Sequence, residues 1–598
     1  MQFRFILPLM AGSILVFSTI QNVYAESPWT DDPIVITANR TTQNSASVPA
    51  RVSVIDRAAI ERSQAPDLLE LLRLEAGIDL ARAGGPGGQT SVFMRGTNSN
   101  QVLVLIDGVR AAASGTGAFT WEILDPALIE RIEIVRGPRA ARWGSDAVGG
   151  VIQIFTRRGP GLQATAAYGS DRDRSASLAA GLQGGSISAD AALAWRKVGG
   201  FSAQNERGFA FDPDDDGFDN LSLATGGQWN HAGGELRWRG RLATGEVEFD
   251  QGESDFENWS WRFDYLRETA GPWRWQVGLA TLRDELDTET AFGISEVRTR
   301  RLQADWLAER SLGFGQLLIG VDGWRESGVS RNQWSDSRYN FGAFAGIDGG
   351  TGNWAWEASI RIDEDENFGT EPTGSAGLQF RPDSHWRLFA SAGRAFRAPS
   401  FSQLFSPGFG GLFAGNPDLD PESSWSTELG IDFDPAPGQR FTLSLFANWI
   451  DDLIDFSGPD FQAINIREAR IRGLELTHDL AAGPWSSRFN LTWQDPEDRD
   501  FRTDLLRRAE FKGNWVLGFQ HAERWNVDAE LVHVGNRPDV GQVRLPSYTL
   551  INLRAAWRWA EHWQTEIRVD NVADREYEPL FGFNAADRRV FVRLVWSG

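Results

Sequence analysis

The sequence contains no cysteine and very little histidine or lysine. Of its 598 residues, 0 are Cys and 6 are His, and the lysines are Lys197 and Lys512. Without cysteine the chain forms no disulfide, thiolate zinc site or cysteine-ligated iron–sulfur cluster, and so few histidines leave little room for imidazole metal clusters. The basic residues are therefore almost all arginine, which we attribute to codon usage rather than to function.

Positive charge is also in deficit. The chain has 81 acidic residues against 59 basic ones, for a formal net charge of -22. Proteins that bind nucleic acids need a basic surface, so the composition argues against a nucleic-acid partner. Hydrophobic residues reach only 41%, yet Trp is 26, Phe 37 and Gly 63. This combination is typical of many short strands whose aromatic residues lie at an interface.

Long apolar runs are missing beyond the first residues of the chain. Residues 1–25 have the features of a secretory signal, with Arg4 in the leading segment, an apolar stretch and a small-x-small site ending at Ala25. No later stretch reaches the roughly 18 uninterrupted apolar residues that a membrane helix needs. We therefore expect an exported protein, which can cross a membrane only as a closed barrel.

Residues 30–158 have the pattern of a compact unit with both helices and strands. Long glycine-rich loops leave this unit poorly covered by its own core, so we expect it to lie inside a larger structure. The predicted helices are 58–63 and 67–73, and the predicted strands are 102–106, 132–135 and 151–155.

After about residue 159, apolar and polar residues alternate with a period of two, as in 441–449 and 551–559. This alternation indicates strands, and the aromatic residues at their ends suit the two surfaces of a membrane. At roughly 20 residues per strand and loop, the region predicts about 22 antiparallel strands. The fold class is therefore an all-β transmembrane barrel with an N-terminal α/β plug in its lumen. A soluble sandwich or propeller is the alternative, but no propeller repeat is present.

A short apolar segment follows the predicted cleavage site. It consists of Ile34, Val35, Ile36, Thr37 and Ala38. A flexible apolar segment of this kind can add as an extra strand to the edge of a partner's sheet. The motif alone is weak, because many edge strands look similar, but its position after a signal sequence strengthens it.

Longer motifs occur in both regions of the chain. The plug region contains Arg95-Gly96-Thr97-Asn98 and the string 143–152, and the barrel region contains motifs at 396–404, 415–422, 469–475 and 569–577. With these motifs the chain resembles the TonB-dependent outer-membrane receptors, and within them the cobalamin (vitamin B12) receptors. The resemblance covers nearly the whole chain after the signal.

The resemblance implies TonB-dependent import of a large scarce nutrient across the Gram-negative outer membrane. The implied ligand is cobalamin or a related corrinoid, with a ferric siderophore as the alternative. It further implies that 34–38 is the TonB box, that the protein is a monomer among lipid and lipopolysaccharide, and that it has no enzymatic activity or catalytic cofactor. The implied parts are a signal at 1–25, a periplasmic segment at 26–40, a plug at 41–158 and a barrel at 159–598. The rivals from other classes are a secreted carbohydrate-active enzyme and a passive porin.

The family pattern also implies a lock between plug and barrel. Arg95 and Arg136 of the plug would face Glu428 and Glu475 of the barrel wall. Bidentate pairs between arginine and carboxylate fix orientation, and buried pairs can set register. The alternative is that these charges face water in the lumen.

An acidic stretch in the barrel region is a candidate calcium site. Asp212, Asp214 and Asp216 alternate and are followed by a glycine, as at the start of an EF-hand loop. The twelfth position is Leu223 instead of glutamate, so the EF-hand is incomplete. Asp250 could add a carboxylate, and the cobalamin receptors have a similar calcium-ordered loop. The alternative is a solvated acidic loop.

Two glycine-rich plug loops, 82–91 and 111–121, are the predicted contacts for the transported ligand. Small residues let the backbone approach a bulky ligand. These loops depart from the family in sequence, so specificity does not transfer, and Phe119 has packing under the loop as its alternative role. The candidate ligand contacts are Ala83, Gly85, Pro86, Gly88, Thr90, Ser91, Ala113, Ser114 and Phe119.

Overall fold

The N-terminal part of the chain forms a small mixed unit in the computed structural model. The structure describes residues 34–35, 37–112, 115, 117–268, 271–291, 293–408, 413–457 and 461–598. The predicted signal at 1–25 therefore lies outside the described residues. The strands of this unit are β1 Ile34–Val35, β2 Gln43–Asn44, β3 Val52–Ile55, β4 Ile78–Arg82, β5 Thr90–Met94, β6 Val102–Ile106, β7 Val109–Arg110, β8 Ile129–Arg136 and β9 Gly150–Thr156. Its helices are α1 Arg57–Ser63, α2 Leu68–Leu72 and α3 Ala140–Trp143.

The core of this unit is a five-stranded sheet in the order β3-β8-β9-β6-β7. The strands β6 and β9 pair in parallel, and the other pairs are antiparallel. Aliphatic side chains of β6, β8 and β9 pack with Leu68 and Leu72 in one buried cluster. Helices α1 and α2 begin after Asp56 and Asp67, whose side chains cap them by accepting hydrogen bonds from the amides of Ala59 and Glu70.

The period-two segments form one closed antiparallel barrel. In the described part of the chain it has 22 strands, and it closes where its first strand, Gly161–Gly169, pairs with its last, Arg589–Ser597. Its strands are β10 Gly161–Gly169, β11 Arg174–Gly184, β12 Ile187–Phe201, β13 Asp216–His231, β14 Gly234–Phe249, β15 Gly252–Glu268, β16 Trp273–Thr290, β17 Gly293–Leu312, β18 Gly315–Ser330, β19 Trp334–Thr351, β20 Trp354–Asp365, β21 Gly369–Phe380, β22 Trp386–Arg397, β23 Glu422–Ala436, β24 Gln439–Ser457, β25 Gln462–Ala482, β26 Trp485–Asp498, β28 Phe511–His521, β29 Trp525–Val534, β32 Tyr548–Ala560, β33 Trp563–Asp570 and β34 Arg589–Ser597.

The loops at one end of the barrel contain short helices and strands. They are α4 Phe401–Phe405, β27 Thr503–Asp504, β30 Arg537–Asp539 and β31 Val543–Leu545. At the other end, neighbouring strands are joined by tight turns such as the one between Thr351 and Trp354. The predicted fold class, a barrel of about 22 strands around an N-terminal plug, is confirmed.

The barrel places apolar side chains outside and polar ones inside. On β24, Leu443 and Leu445 are exposed, while the alternating residues Thr442 and Ser444 are buried. A soluble protein buries its apolar side chains and exposes its polar ones, whereas this barrel does the opposite. A barrel surrounded by lipid requires this arrangement. The low hydrophobic fraction of the sequence follows, because only one face of each strand is apolar.

None of the described helices is both long enough and apolar enough to cross a membrane.

Candidate functional site

Arg95 joins the plug to the barrel wall through two carboxylates. Its Nη2 lies 2.6 Å from Glu428 Oε1, and its Nε and Nη2 lie 2.8 and 3.0 Å from the two oxygens of Glu475. All three side chains are buried. Burial disfavours the charged form of Arg95, but the two carboxylates outweigh it and raise its pKa above the ordinary value. The arrangement fixes the β5 end of the plug against β23 and β25.

Arg136 lies beside this group but interacts mainly within the plug. Its guanidinium is 3.9 Å from Glu475, whereas it donates to Glu75 Oε2 at 3.2 Å and to the carbonyl of Ala76 at 2.8 Å. The structure therefore brings the four predicted lock residues together, with Glu75 as an additional acceptor. Glu75 belongs to none of the sequence motifs of the chain, so no sequence signal marks it as a partner of Arg136.

Further polar contacts between plug and wall surround the lock. Arg139 lies 2.7 Å from Glu357, and Gln101 Nε2 donates to Glu422 at 2.9 Å. These partners are more than 200 residues apart in the chain. Sequence spacing carries no information about such pairs, which depend on the register of the barrel strands.

The segment 34–38 is held against the end of the plug where the barrel turns are tight. Val35 and Ala38 are fully buried, and β1 pairs with β2. The Thr37 amide and hydroxyl donate to Glu133 Oε2 at 2.9 and 2.6 Å, and Trp143 Nε1 donates to the Thr37 carbonyl at 2.8 Å. Ile36 lies outside the described residues, and for Ile34 the structure gives only the backbone pairing.

Two residues after this segment tie it to the wall as well. Asn39 Nδ2 donates to Glu357 Oε2 at 2.8 Å, and Arg40 lies 2.7 Å from Asp322 Oδ2. Arg40 also lies over the ring of Trp143, 4.8 Å from its centroid. The segment is therefore stored in the barrel by contacts that have to break before it can leave.

The first glycine-rich plug loop packs against the barrel loop that follows β12. A Cβ at Gly84 would lie 2.5 Å from that of Ala203, and one at Gly85 would lie 3.5 Å from the Phe201 ring. Gly84 also has a φ of +82°. Such close approach explains the need for glycine there. Of the predicted ligand contacts, Gly85, Pro86 and Thr90 are buried, and Ala83, Gly88 and Ser91 are half-buried.

The second plug loop lies under the long barrel loop that carries α4. The carbonyl of Gly115 accepts a hydrogen bond from the Ser402 amide at 3.0 Å. Phe119 is buried and meets Trp121 edge-on, with ring centroids 5.0 Å apart. Phe119 therefore packs in the plug instead of presenting its ring to the surface. Ala113 and Ser114 lie outside the described residues.

The predicted calcium ligands lie near one another but do not form a closed set. Asp216 accepts from the Ala203 amide at 2.5 Å, and Asp250 accepts from the amides of Gln204 and Asp212 at 2.7 and 2.8 Å. Among the described residues, carboxylate oxygens of Glu285, Asp287 and Glu296 lie within 4.8 Å of one another. No three of Asp212, Asp214, Asp216 and Asp250 bring their carboxylate oxygens that close together. The donor chemistry suits Ca²⁺, whereas the oxygens are spread apart.

Comparison with known protein families decides the classification. The family model described as TonB-dependent Receptor Plug Domain matches residues 44–151, and the one described as TonB dependent receptor-like, beta-barrel matches residues 158–572. The chain belongs to the TonB-dependent receptors. As a receptor of this family it is an outer-membrane protein. The tight turns and segment 34–38 lie at one end of this barrel, and the long loops lie at the other.

The receptor is similar to curated relatives over nearly its full length. It is 30% identical to the vitamin B12 transporter BtuB of Photobacterium profundum, with 98% of this chain and 99% of the relative covered. It is also 30% identical to the vitamin B12 transporter BtuB of Vibrio vulnificus, with 96% and 95% covered.

Solved structures share the fold of the receptor at lower sequence identity. A variant of the ferric enterobactin receptor PfeA of Pseudomonas aeruginosa is 18% identical, with a TM-score of 0.79 over 95% of this chain and 100% of that one. The copper transporter OprC is 16% identical, with a TM-score of 0.80 over 92% and 99%. At these identities the likeness shows the fold alone.

Proposed function

We propose that this receptor imports cobalamin or a related corrinoid. The observation that carries the proposal is the 30% identity to vitamin B12 transporters over 98% of this chain and 99% of the relative. The ferric-siderophore alternative has only the fold in its favour, because the structures of siderophore receptors are 18% identical or less.

Ligand binding tests this proposal directly. Detergent-purified receptor is titrated with cyanocobalamin and, separately, with a set of ferric catecholate and hydroxamate chelates. We expect saturable binding of the corrinoid and none of the chelates. Saturable binding of a ferric chelate together with no corrinoid binding would replace the proposal by siderophore uptake.

The same proposal assigns segment 34–38 to TonB. Ligand on the outer loops would favour a state in which Thr37, Asn39 and Arg40 leave their partners on the plug and wall. The freed segment would then pair with the edge of a TonB sheet, since strand addition needs only backbone groups. The energy for plug movement would come through TonB, since no phosphate-binding P-loop motif is present in the sequence.

We further propose that Asp212, Asp214, Asp216 and Asp250 bind Ca²⁺ in the outer loops. The support is chemical, because hard carboxylate oxygens are the ligands that Ca²⁺ takes. Calorimetric titration of Ca²⁺ into the purified receptor should give binding that Asp216→Asn combined with Asp250→Asn abolishes. Equal heats for the wild type and the double variant would reject this site.

A further inference from the structure

A second candidate ligand site lies between the plug and the last quarter of the barrel wall. A small cavity separates the β4–β5 hairpin from the wall around β28, β29 and β32. An adjoining cavity shares Arg73, Arg82 and Pro579 with it and reaches residues 585–587 of the outer loop. The site therefore lies toward the end of the barrel that carries the long loops.

The lining of this cavity is strongly cationic. It contains five basic side chains and one carboxylate, that of Asp79. The basic side chains are Arg73, Arg82, Arg507, Lys512 and Arg537. Asp79 is itself engaged by Gln494 Nε2 at 2.7 Å. An excess of four positive charges around one cavity is unusual in a chain whose overall charge is -22.

Three of these cations have carboxylate partners just outside the lining. Arg73 lies 3.1 Å from Glu70, Arg82 lies 2.8 Å from Asp67, and Arg507 lies 3.1 Å from Asp539. Within the described part of the chain, Lys512 and Arg537 have no carboxylate within 4.0 Å. Of the five cations, these two are therefore the ones without a direct ion pair among the described residues, and the carboxylate of Asp79 is the one that lies in the same lining.

Lys512 and Arg537 are also deeply buried, each with 4% of its surface exposed. The Lys512 ammonium donates to the carbonyl of Ile78, and Arg537 Nη2 donates to the carbonyl of Pro579 at 3.1 Å. Arg537 Nη1 is buried and has no hydrogen-bond partner. A cation that is buried without an ion pair is strongly disfavoured, so an anion bound here would stabilise the site.

We propose that this pocket binds a phosphate-class oxyanion. Thr90 and Arg82 pair with each other at the root of the first plug loop and both line the cavity. A ligand seated on that loop can therefore extend an anionic group toward Arg537. A guanidinium fork and an ammonium are the side chains that proteins use for phosphate oxygens. Resting on the proposed function, the anion is the phosphodiester of cobalamin; its other source is free phosphate.

The first test asks whether the pocket takes an anion at all. Thermal midpoints of the detergent-purified receptor are measured with increasing inorganic phosphate at constant ionic strength, with chloride as the replaced salt. We expect saturable stabilisation of the wild type, and an apparent affinity about tenfold weaker in Arg537→Gln, which loses a charged hydrogen-bond donor. No phosphate effect beyond chloride in the wild type would overturn the proposal.

A matched control uses an arginine outside the pocket. Arg544 is half exposed and pairs with Asp504 and Glu510, so Arg544→Gln should leave the phosphate response unchanged. Lys512→Gln provides a second pocket variant in case Arg537→Gln does not fold. Equal phosphate responses in the wild type and every folded pocket variant would place the anion elsewhere and reject the site.

The second test distinguishes the two sources of the anion. Cobalamin and a corrinoid that lacks the phosphodiester, such as cobinamide, are titrated into the wild type and Arg537→Gln. If the pocket holds the ligand's own phosphate, Arg537→Gln weakens cobalamin binding by about tenfold and leaves cobinamide binding unchanged. Phosphate binding without discrimination between the corrinoids supports a pocket for free phosphate. Absence of all corrinoid binding would reject the proposed function. The phosphate dependence of the thermal midpoint would still decide whether the pocket binds an oxyanion.

Discussion

At the scale of single residues, the most consequential side chain is Arg95. Replacing it by glutamine leaves Glu428 and Glu475 buried, adjacent and without their main cation. Breaking a buried ion pair from one side costs about 3–5 kcal/mol, so we expect Arg95→Gln to destabilise the docked plug by that amount. The measurement is protease cleavage of the plug as a function of urea in detergent-purified receptor.

Arg172→Gln is the matched control for Arg95. Arg172 pairs with Asp215 at 2.8 Å, but both side chains are more than half exposed. Exposed pairs contribute about 0–1 kcal/mol, so this variant should retain the urea midpoint of the wild type. An Arg95→Gln midpoint equal to that of Arg172→Gln would show that the pair does not hold the plug.

Glu122 should give the plug a pH dependence. It is buried beside Thr90 in the plug, and burial raises its pKa to about 7. A carboxyl whose folded pKa lies above its unfolded value of about 4.5 stabilises the folded state fully below pH 4.5. That stability is lost as the pH rises through 7, in an amount on the order of 3 kcal/mol.

Comparing variants isolates this contribution. The urea midpoint for plug cleavage is measured between pH 5 and pH 8 for the wild type, Glu122→Gln and Glu61→Gln. Glu122→Gln should lose much of the decline toward pH 8. Glu61 is partly exposed and pairs with Arg57, so Glu61→Gln should keep that decline. An identical decline in all three proteins would exclude Glu122 as its source.

At the scale of secondary-structure elements, local pattern and long-range pairing differ in what they reveal. The period-two alternation predicts the barrel strands, and the apolar runs predict β6, β8 and β9. Both predictions are possible because the burial of one or both faces of a strand determines which neighbouring residues are apolar. The partner of Arg136 could not be predicted, because Glu75 is brought to it by plug packing. The separation of the acidic oxygens around Asp216 likewise depends on how the outer loops meet.

The segment β1 offers a test of strand addition. Val35→Pro removes one backbone N–H and restricts φ, so the segment can no longer donate a full ladder to a partner strand. We expect ligand binding to purified receptor to stay within about twofold of the wild type, since segment 34–38 lies far from the outer loops, while uptake by intact cells is lost. Val35→Ile keeps the backbone donor and should transport normally.

The two readouts make this prediction specific. Loss of ligand binding in Val35→Pro would mean that the substitution damages the plug. The loss of uptake would then no longer be evidence for strand pairing by segment 34–38. Normal uptake by Val35→Pro with normal surface amounts would contradict strand addition through this segment. Val35 is fully buried, so the amount of receptor in the membrane has to be measured for each variant.

At the scale of the whole molecule, the plug is a separate body inside a rigid cylinder. The last plug strand ends at Thr156 and the first barrel strand begins at Gly161, so only a short connection joins the two parts covalently. The remaining attachment is through side chains such as Arg95 and Arg139. Import of a large ligand therefore requires the plug to move or unfold relative to a wall whose backbone hydrogen bonds form a closed ring.

A covalent staple between plug and wall should stop that movement. An added Cβ at Gly377 of β21 would lie 3.1 Å from Pro49 Cβ in the plug, so a shift of a few tenths of an ångström reaches disulfide geometry. The chain has 0 Cys, so Pro49→Cys with Gly377→Cys can form one intramolecular bond. We expect ligand binding to persist, uptake to fall to background and a reductant to restore it, with each single-cysteine variant transporting normally. Undiminished uptake by the fully oxidised pair would mean that the ligand passes without displacing this side of the plug.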